Sequence, residues 1–198
     1  KRSDQITGSI KSLSDKLYHI SEIIELQQRF VGELGTENLV SLSAIIESSI
    51  KIFDETFNKY GVEISFEAKE NLPKVLVDTS MITQVFINLT KNAVEAMESE
   101  KSADKPKKIE ISIAEEIEGV KKYVVARVKD NGPGIKPEVI DKLFKFGFST
   151  KEKHKHSRGY GLHSCMETIR KYGGTIKVDS TPGKGSTFSI YLPIGDKK

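Results

Sequence analysis

Asn88 and Asn92 stand four residues apart on a stretch where Ile82, Val85, Phe86, Leu89, Ala93 and Ala96 recur at helical spacing. With Gln84 and Glu95 they form a polar stripe beside an apolar face. Carboxamide oxygens on such a stripe suit Mg²⁺, a hard cation that keeps substrate phosphate in its shell. A second group follows a run of apolar residues at Asp130-Asn131-Gly132-Pro133-Gly134-Ile135. A carboxylate buried there can accept a hydrogen bond from an exocyclic amine, and burial makes a mismatched partner costly. Gly132 and Gly134 are expected to supply positive φ and to let the backbone approach a flat ring without a Cβ. The third group, Arg158-Gly159-Tyr160-Gly161-Leu162-His163, opens a helix whose first N–H groups can hold phosphate. Lys151, Lys153, Lys155 and Arg158 add positive charge just ahead of it.

Taken singly, each group has an ordinary explanation: solvated amides, a common Asn-Gly and Pro-Gly turn, a basic surface loop. The spacing matches neither the dinucleotide G-x-G-x-x-G nor the Walker G-x-x-x-x-G-K. Their joint order carries more. Asn88-Leu89-Thr90-Lys91-Asn92-Ala93, the Asp130 to Ile135 turn, Phe144 to Lys151, and Gly159-Tyr160-Gly161-Leu162 resemble the N, G1, F and G2 boxes of sensor histidine kinases. Gly183-Lys184-Gly185-Ser186-Thr187-Phe188 is similar to the closing hairpin of that family.

The resemblance covers about Glu37 to Pro193 and implies a two-component signalling kinase domain that binds ATP and Mg²⁺, with a mobile lid between Phe144 and Arg158. By the same resemblance Asn92 is the Mg²⁺ ligand, Asn88 supports it, and Asp130 reads the adenine amine. Gly132 and Gly134 would shape the adenine side, and Ile135, Phe144 and Thr187 would be further nucleotide contacts. Gly159 and Gly161 would face the phosphates, with Lys151 and Arg158 as further phosphate candidates and Tyr160 and Leu162 as nucleotide contacts. Hydrolysing relatives carry Glu where this chain has Asn88, and an amide is no general base. A site without a base suits delivery of the γ-phosphoryl group to an external nucleophile, since that transfer needs mainly positioning and charge stabilisation. Alternative readings are a serine kinase or ATPase of the same fold, and a non-catalytic dimerising scaffold.

The elements that must position these groups are legible in outline. Ile6, Ile10, Leu13, Leu17, Ile20, Ile24, Gln27, Val31 and Leu34 recur at steps of four and three, an a/d seam. About 29 residues of such helix would reach about 43 Å and would need a partner helix. Beyond Gly35 strands alternate with helices. Val40 and Leu42 read as a short strand, with Ser43 capping a helix that bears Ile45, Ile46, Ile50, Phe53 and Phe57. Strands are expected at 62–66, 75–77, 109–117, 123–129, 175–180 and 186–192, and helices from Asp78 to about Ser99 and from Tyr160 to Lys171. The expected fold class is α+β, a two-layer α/β sandwich of a mixed sheet against three helices, preceded by one long coiled-coil or bundle helix. The resemblance makes residues 1–35 the second helix of a dimerisation and phosphoacceptor hairpin, and 36–198 the catalytic ATP-binding domain.

Composition excludes other classes. The 198 residues carry a net charge of +3, too weak a bias for nucleic-acid binding. No apolar run approaches the roughly 18 residues that span a bilayer. A single cysteine, Cys165, forbids an internal disulfide and suits a reducing cytoplasm. The chain begins at Lys1 and is expected to be part of a longer protein. The upstream histidine, His19, lacks the neighbouring carboxylate and the proline of a phosphoacceptor pattern, so the acceptor is expected outside this chain. Expected partners are ATP, the receiver domain of a response regulator, and a second copy through the N-terminal helix.

Overall fold

A computed structural model describes residues 36–99, 105–148 and 160–195. The chain divides into two compact units, Lys1–Thr36 and Glu37–Lys198. The heptad helix, His19, the basic segment from Lys151 to Arg158, and Gly159 lie outside the described residues.

Within the second unit, β1 (Asn38–Val40) leads into α1 (Leu42–Lys59). Ser41, not Ser43, is the cap: its Oγ accepts the Ala44 N–H at 3.4 Å, and Leu42 is buried inside the helix instead of ending the strand. The correction follows from burial, because Leu42 shares the inward face of Ile45, Ile46 and Ser49. β2 (Val62–Ala68) and β3 (Val75–Val77) follow, then α2 (Thr79–Ser99). Asp78 starts α2 as expected, its Oδ1 accepting the N–H groups of Ser80 at 2.8 Å and Met81 at 3.3 Å.

The long hairpin β4 (Lys107–Glu118) and β5 (Lys121–Asp130) precedes the short α3 (Pro137–Ile140). The chain closes with α4 (Tyr160–Lys171), β6 (Thr175–Thr181) and β7 (Gly185–Pro193). Five strands form one mixed sheet in the order β2-β4-β5-β7-β6, with β2 and β4 parallel and the other neighbours antiparallel. β1 and β3 pair antiparallel as a separate two-stranded sheet.

Strand alternation decides the two faces of the large sheet. Ile109, Ile111 and Ile113 of β4, Val124, Ala126 and Val128 of β5, and Phe188, Ile190 and Leu192 of β7 join one buried cluster with α1, α2 and α4. Phe86 and Leu89 of α2 and Ile169 of α4 are fully buried within it. The opposite face carries ion pairs, Lys129 with Glu110 at 2.6 Å, Arg127 with Glu116, and Lys177 with Glu118. These exposed or half-exposed pairs add little stability, and the helix side supplies the core. The fold is therefore the expected two-layer sandwich.

One consequence concerns Gly185, which opens β7 with φ +107°. A Cβ there would sit 2.0 Å from the Asp130 carbonyl oxygen. Gly185→Ala is expected to lower stability by about 3 kcal/mol or more, a fall in melting temperature of roughly 10 °C by scanning calorimetry. An unchanged melting temperature would remove the argument for that close approach.

Candidate functional site

The polar edge of α2 is half-buried at Gln84, Asn88 and Asn92. The two asparagines differ in occupation. Asn88 Oδ1 accepts Gln84 Nε2 at 3.5 Å, and the Asn88 amide lies close enough to the thiol of Cys165 on α4 to affect its titration. Burial pushes that thiol up to about 12, with the Asn88 amide acting more weakly in the other direction, so Cys165 stays a protonated core residue. Its Sγ lies 3.8 Å from the Val85 carbonyl oxygen. Among the described residues, the Asn92 side chain has no hydrogen-bond partner. Glu95 pairs with Lys91 at 3.9 Å.

Asp130 ends β5 on the helix-facing side and is only 5% exposed. Its Oδ1 accepts the Gly132 N–H at 2.9 Å and the Ser186 N–H at 3.3 Å. Neither of these two N–H groups is on Oδ2. Desolvation raises the carboxyl above its ordinary range, and the backbone bonds from Gly132 and Ser186 offset part of that shift. Asn131 pins the bend to the start of β4, its Oδ1 accepting the Lys108 N–H at 2.9 Å and its Nδ2 donating to the Pro106 carbonyl at 2.8 Å.

The glycines of the bend act differently from the sequence expectation. Gly132 is not in the positive-φ region. A Cβ on it would meet Asp130 Oδ1 at 2.9 Å and Met97 Cγ at 3.1 Å, so its bareness makes room for the carboxylate and for α2. Gly134 does have φ +70°, but its missing Cβ clears the Thr181 carbonyl of β6, which would lie 2.2 Å away. The same hairpin takes the Ile135 N–H on Ser180 Oγ at 2.8 Å, and the Gly183 N–H reaches the Pro133 carbonyl at 2.7 Å. Ile135 also packs its side chain against the core.

Thr187 requires a correction. It pairs with Lys129, so strand alternation places it on the sheet face opposite Asp130. There it lines a shallow concavity of about 400 Å³ with Arg127 and Lys129. Ser186, paired with Asp130, is the hydroxyl residue on the helix-facing side. Alternation counted from Phe188, an inward core residue two positions on, would have found it.

The remaining groups gather near the start of α4. Phe144 packs against the core, and its carbonyl oxygen is 2.9 Å from His163 Nδ1. The exposed Phe146 ring meets the His163 ring edge-on at 5.3 Å. Leu162 packs against the core, and a Cβ on Gly161 would meet nothing within 4 Å. Tyr160 is the first residue of α4. The Asp130 bend touches α2 at Met97, five residues past Asn92, or about 7.5 Å along the axis. Asn88 lies close to α4 at Cys165, one turn beyond Gly161. One helix thus connects the buried carboxylate, the free carboxamide and the first turns of α4.

These features define a two-layer α+β sandwich with a polar edge between its helices. The family model for histidine kinase-, DNA gyrase B- and HSP90-like ATPases matches residues 77–196. The chain is 31% identical over 191 residues to the sensor histidine kinase ZraS of Escherichia coli (strain K12), covering 96% of this chain and 38% of that protein. It is 26% identical over 196 residues to the adaptive-response sensory kinase SasA of Rippkaea orientalis, covering 92% and 48%. The chain thus spans less than half the length of these relatives. The catalytic domain of the histidine kinase ThkA superposes with TM-score 0.66 at 27% identity, covering 81% of this chain and 99% of that domain.

The chain belongs to the histidine kinase-, DNA gyrase B- and HSP90-like ATPases. Within that family it contains the ATP-binding catalytic domain of the sensor histidine kinase type.

Proposed function

We propose that this domain binds Mg²⁺·ATP and transfers the γ-phosphoryl group to a histidine outside this chain, for relay to an aspartate of a response regulator. The observation that carries the reading is Asp130. It is buried, the Gly132 and Ser186 N–H groups both fall on Oδ1, and Oδ2 is positioned to accept the adenine amine. Gly132 keeps that carboxylate against Met97 of the helix that bears Asn92.

Asn92 is the proposed Mg²⁺ ligand, since its carboxamide has no partner among the described residues and sits on the shared helix. The proposed donor set is the amide oxygen plus nucleotide phosphate, both hard oxygen ligands of the kind Mg²⁺ takes. Asn88 orients beside it through Gln84. The metal supplies neutralisation of charge on the transferring phosphoryl group. The open side of α4 at Gly161, with Gly159, Tyr160, Lys151 and Arg158, is the proposed phosphate end. Asn88 and Asn92 cannot activate water, which favours transfer over hydrolysis.

Residues 1–35 are proposed to be the second helix of the dimerisation hairpin, pairing with a second copy of the chain. We place the domain in the cytoplasm, which its single cysteine suits. Separately, no helix of the described residues is long and apolar enough to cross a membrane. A fold neighbour, ThkA at 24% identity and TM-score 0.65, is known in complex with the response regulator TrrA, which supports a receiver-domain partner. Incubation with γ-labelled ATP and a separately supplied acceptor hairpin is expected to give acid-labile label on histidine. Label on serine, or rapid release of free phosphate, would overturn the assignment.

A further inference from the structure

We propose that Ser180 is a positioning residue for base recognition, acting through Ser186 on the Asp130 carboxylate. Strand register places Ser180 of β6, Ser186 of β7 and Asp130 of β5 in one row across the sheet, on the helix-facing side. The next row inward is Val178, Phe188 and Val128, all within or against the core. A polar row therefore replaces one apolar layer at the end of the sheet where Asp130 stands.

Ser180 Oγ accepts the Ile135 N–H at 2.8 Å, and lies 3.0 Å from both the Gly185 carbonyl oxygen and Ser186 Oγ. A carbonyl can only accept, so with the single Ser180 hydrogen on Gly185, the Ser186 hydroxyl donates to Ser180. One hydroxyl then joins the exit of the bend, at Ile135, to the start of β7, at Gly185 and Ser186. The Ser186 N–H in turn holds Asp130 Oδ1 at 3.3 Å, while Gly132, at the other end of the bend, holds the same oxygen at 2.9 Å. Ser180 thereby sets the distance between the two N–H groups that aim Oδ2.

Removing the hydroxyl leaves the bend attached to the hairpin, because the Gly183 N–H still bonds the Pro133 carbonyl at 2.7 Å. The effect is therefore expected on aim and not on folding. The inference rests on Asp130 reading the 6-amine of adenine. Inosine triphosphate is the probe, since it has an oxo group, an acceptor, in place of the 6-amine donor that Asp130 would read.

Binding of ATP and of inosine triphosphate, each with Mg²⁺, is measured by titration calorimetry on the wild-type chain, Ser180→Ala, Ser180→Thr and Asp130→Asn. Ser180→Ala is expected to weaken ATP roughly 10-fold and inosine triphosphate by less than about twofold, so the preference for adenine falls. Ser180→Thr retains the hydroxyl and is expected to restore the preference. Equal weakening of both nucleotides by Ser180→Ala, or no change in the ratio, would overturn the positioning role. If Asp130→Asn leaves the wild-type preference intact, the reading of Asp130 falls instead, and the Ser180 inference with it.

Discussion

Asn92→Ala is expected to abolish phosphoryl transfer, by roughly 10³-fold or more, while the unliganded domain melts at the same temperature or slightly higher. The two halves of that result have separate causes. Asn92 is half-buried in the interior of α2 and its side chain bonds no described residue, so its amide contributes little to the fold. Alanine is the better helix former by up to about 0.7 kcal/mol, which offsets any lost packing. The carboxamide oxygen is instead the proposed metal contact, and without it the charge on the transferring group goes uncompensated. Asn88→Ala should behave differently, since it also breaks the hydrogen bond with Gln84 and so lowers the melting temperature as well. Transfer from γ-labelled ATP to a supplied acceptor, alongside scanning calorimetry, separates the two. Retained transfer by Asn92→Ala would refute the metal assignment. A large drop in melting temperature would make Asn92 a structural residue.

Much of the fold was legible because local periodicity and burial agree. Val62, Ile64 and Phe66 alternate in sequence and lie in β2, and the apolar positions of α2 from Ile82 to Met97 are its buried face. Turn chemistry located both hairpins, at Gly119 and at Pro182 to Gly185. Parallel pairing of β2 with β4 was not legible, since Val62 and Lys107 are brought together across α2 by tertiary packing alone. The cap at Ser41 was missed because two serines flank Leu42, and only its burial shows on which side the helix begins.

At the site, residue types were easier to read than their directions. Asp130 and the asparagines follow from chemistry and spacing, whereas Thr187 failed on a parity that one inward neighbour, Phe188, would have supplied. Gly134 has the expected positive φ and Gly132 does not, and what both glycines make room for differs from the expectation for another reason. Gly132 and Gly134 yield to protein atoms, Met97 and Thr181, whose approach has no local signal in the turn itself.

Asp130→Asn is expected to weaken ATP by about 10- to 150-fold while changing the affinity for tripolyphosphate little, because the lost contact is with the base. The variant keeps an oxygen to accept the Gly132 and Ser186 N–H groups, so the bend survives. It replaces Oδ2 by an NH₂ group, which faces the adenine amine donor to donor. Stability should move the opposite way from affinity. Burial raises the Asp130 carboxyl, so this group stabilises the fold fully only below its unfolded pKa, and that contribution is lost as pH rises through the folded value. Above the folded value the wild type holds a buried charge that asparagine does not. The unliganded variant is expected to melt at or above the wild type at pH 7, with the gap closing as pH falls through the raised Asp130 range. Calorimetric melting across pH, with titrations of ATP and tripolyphosphate at pH 7, checks both signs. Equal loss of both ligands, or a variant that melts well below the wild type at neutral pH, would show that the carboxylate supports the bend and does not read the base.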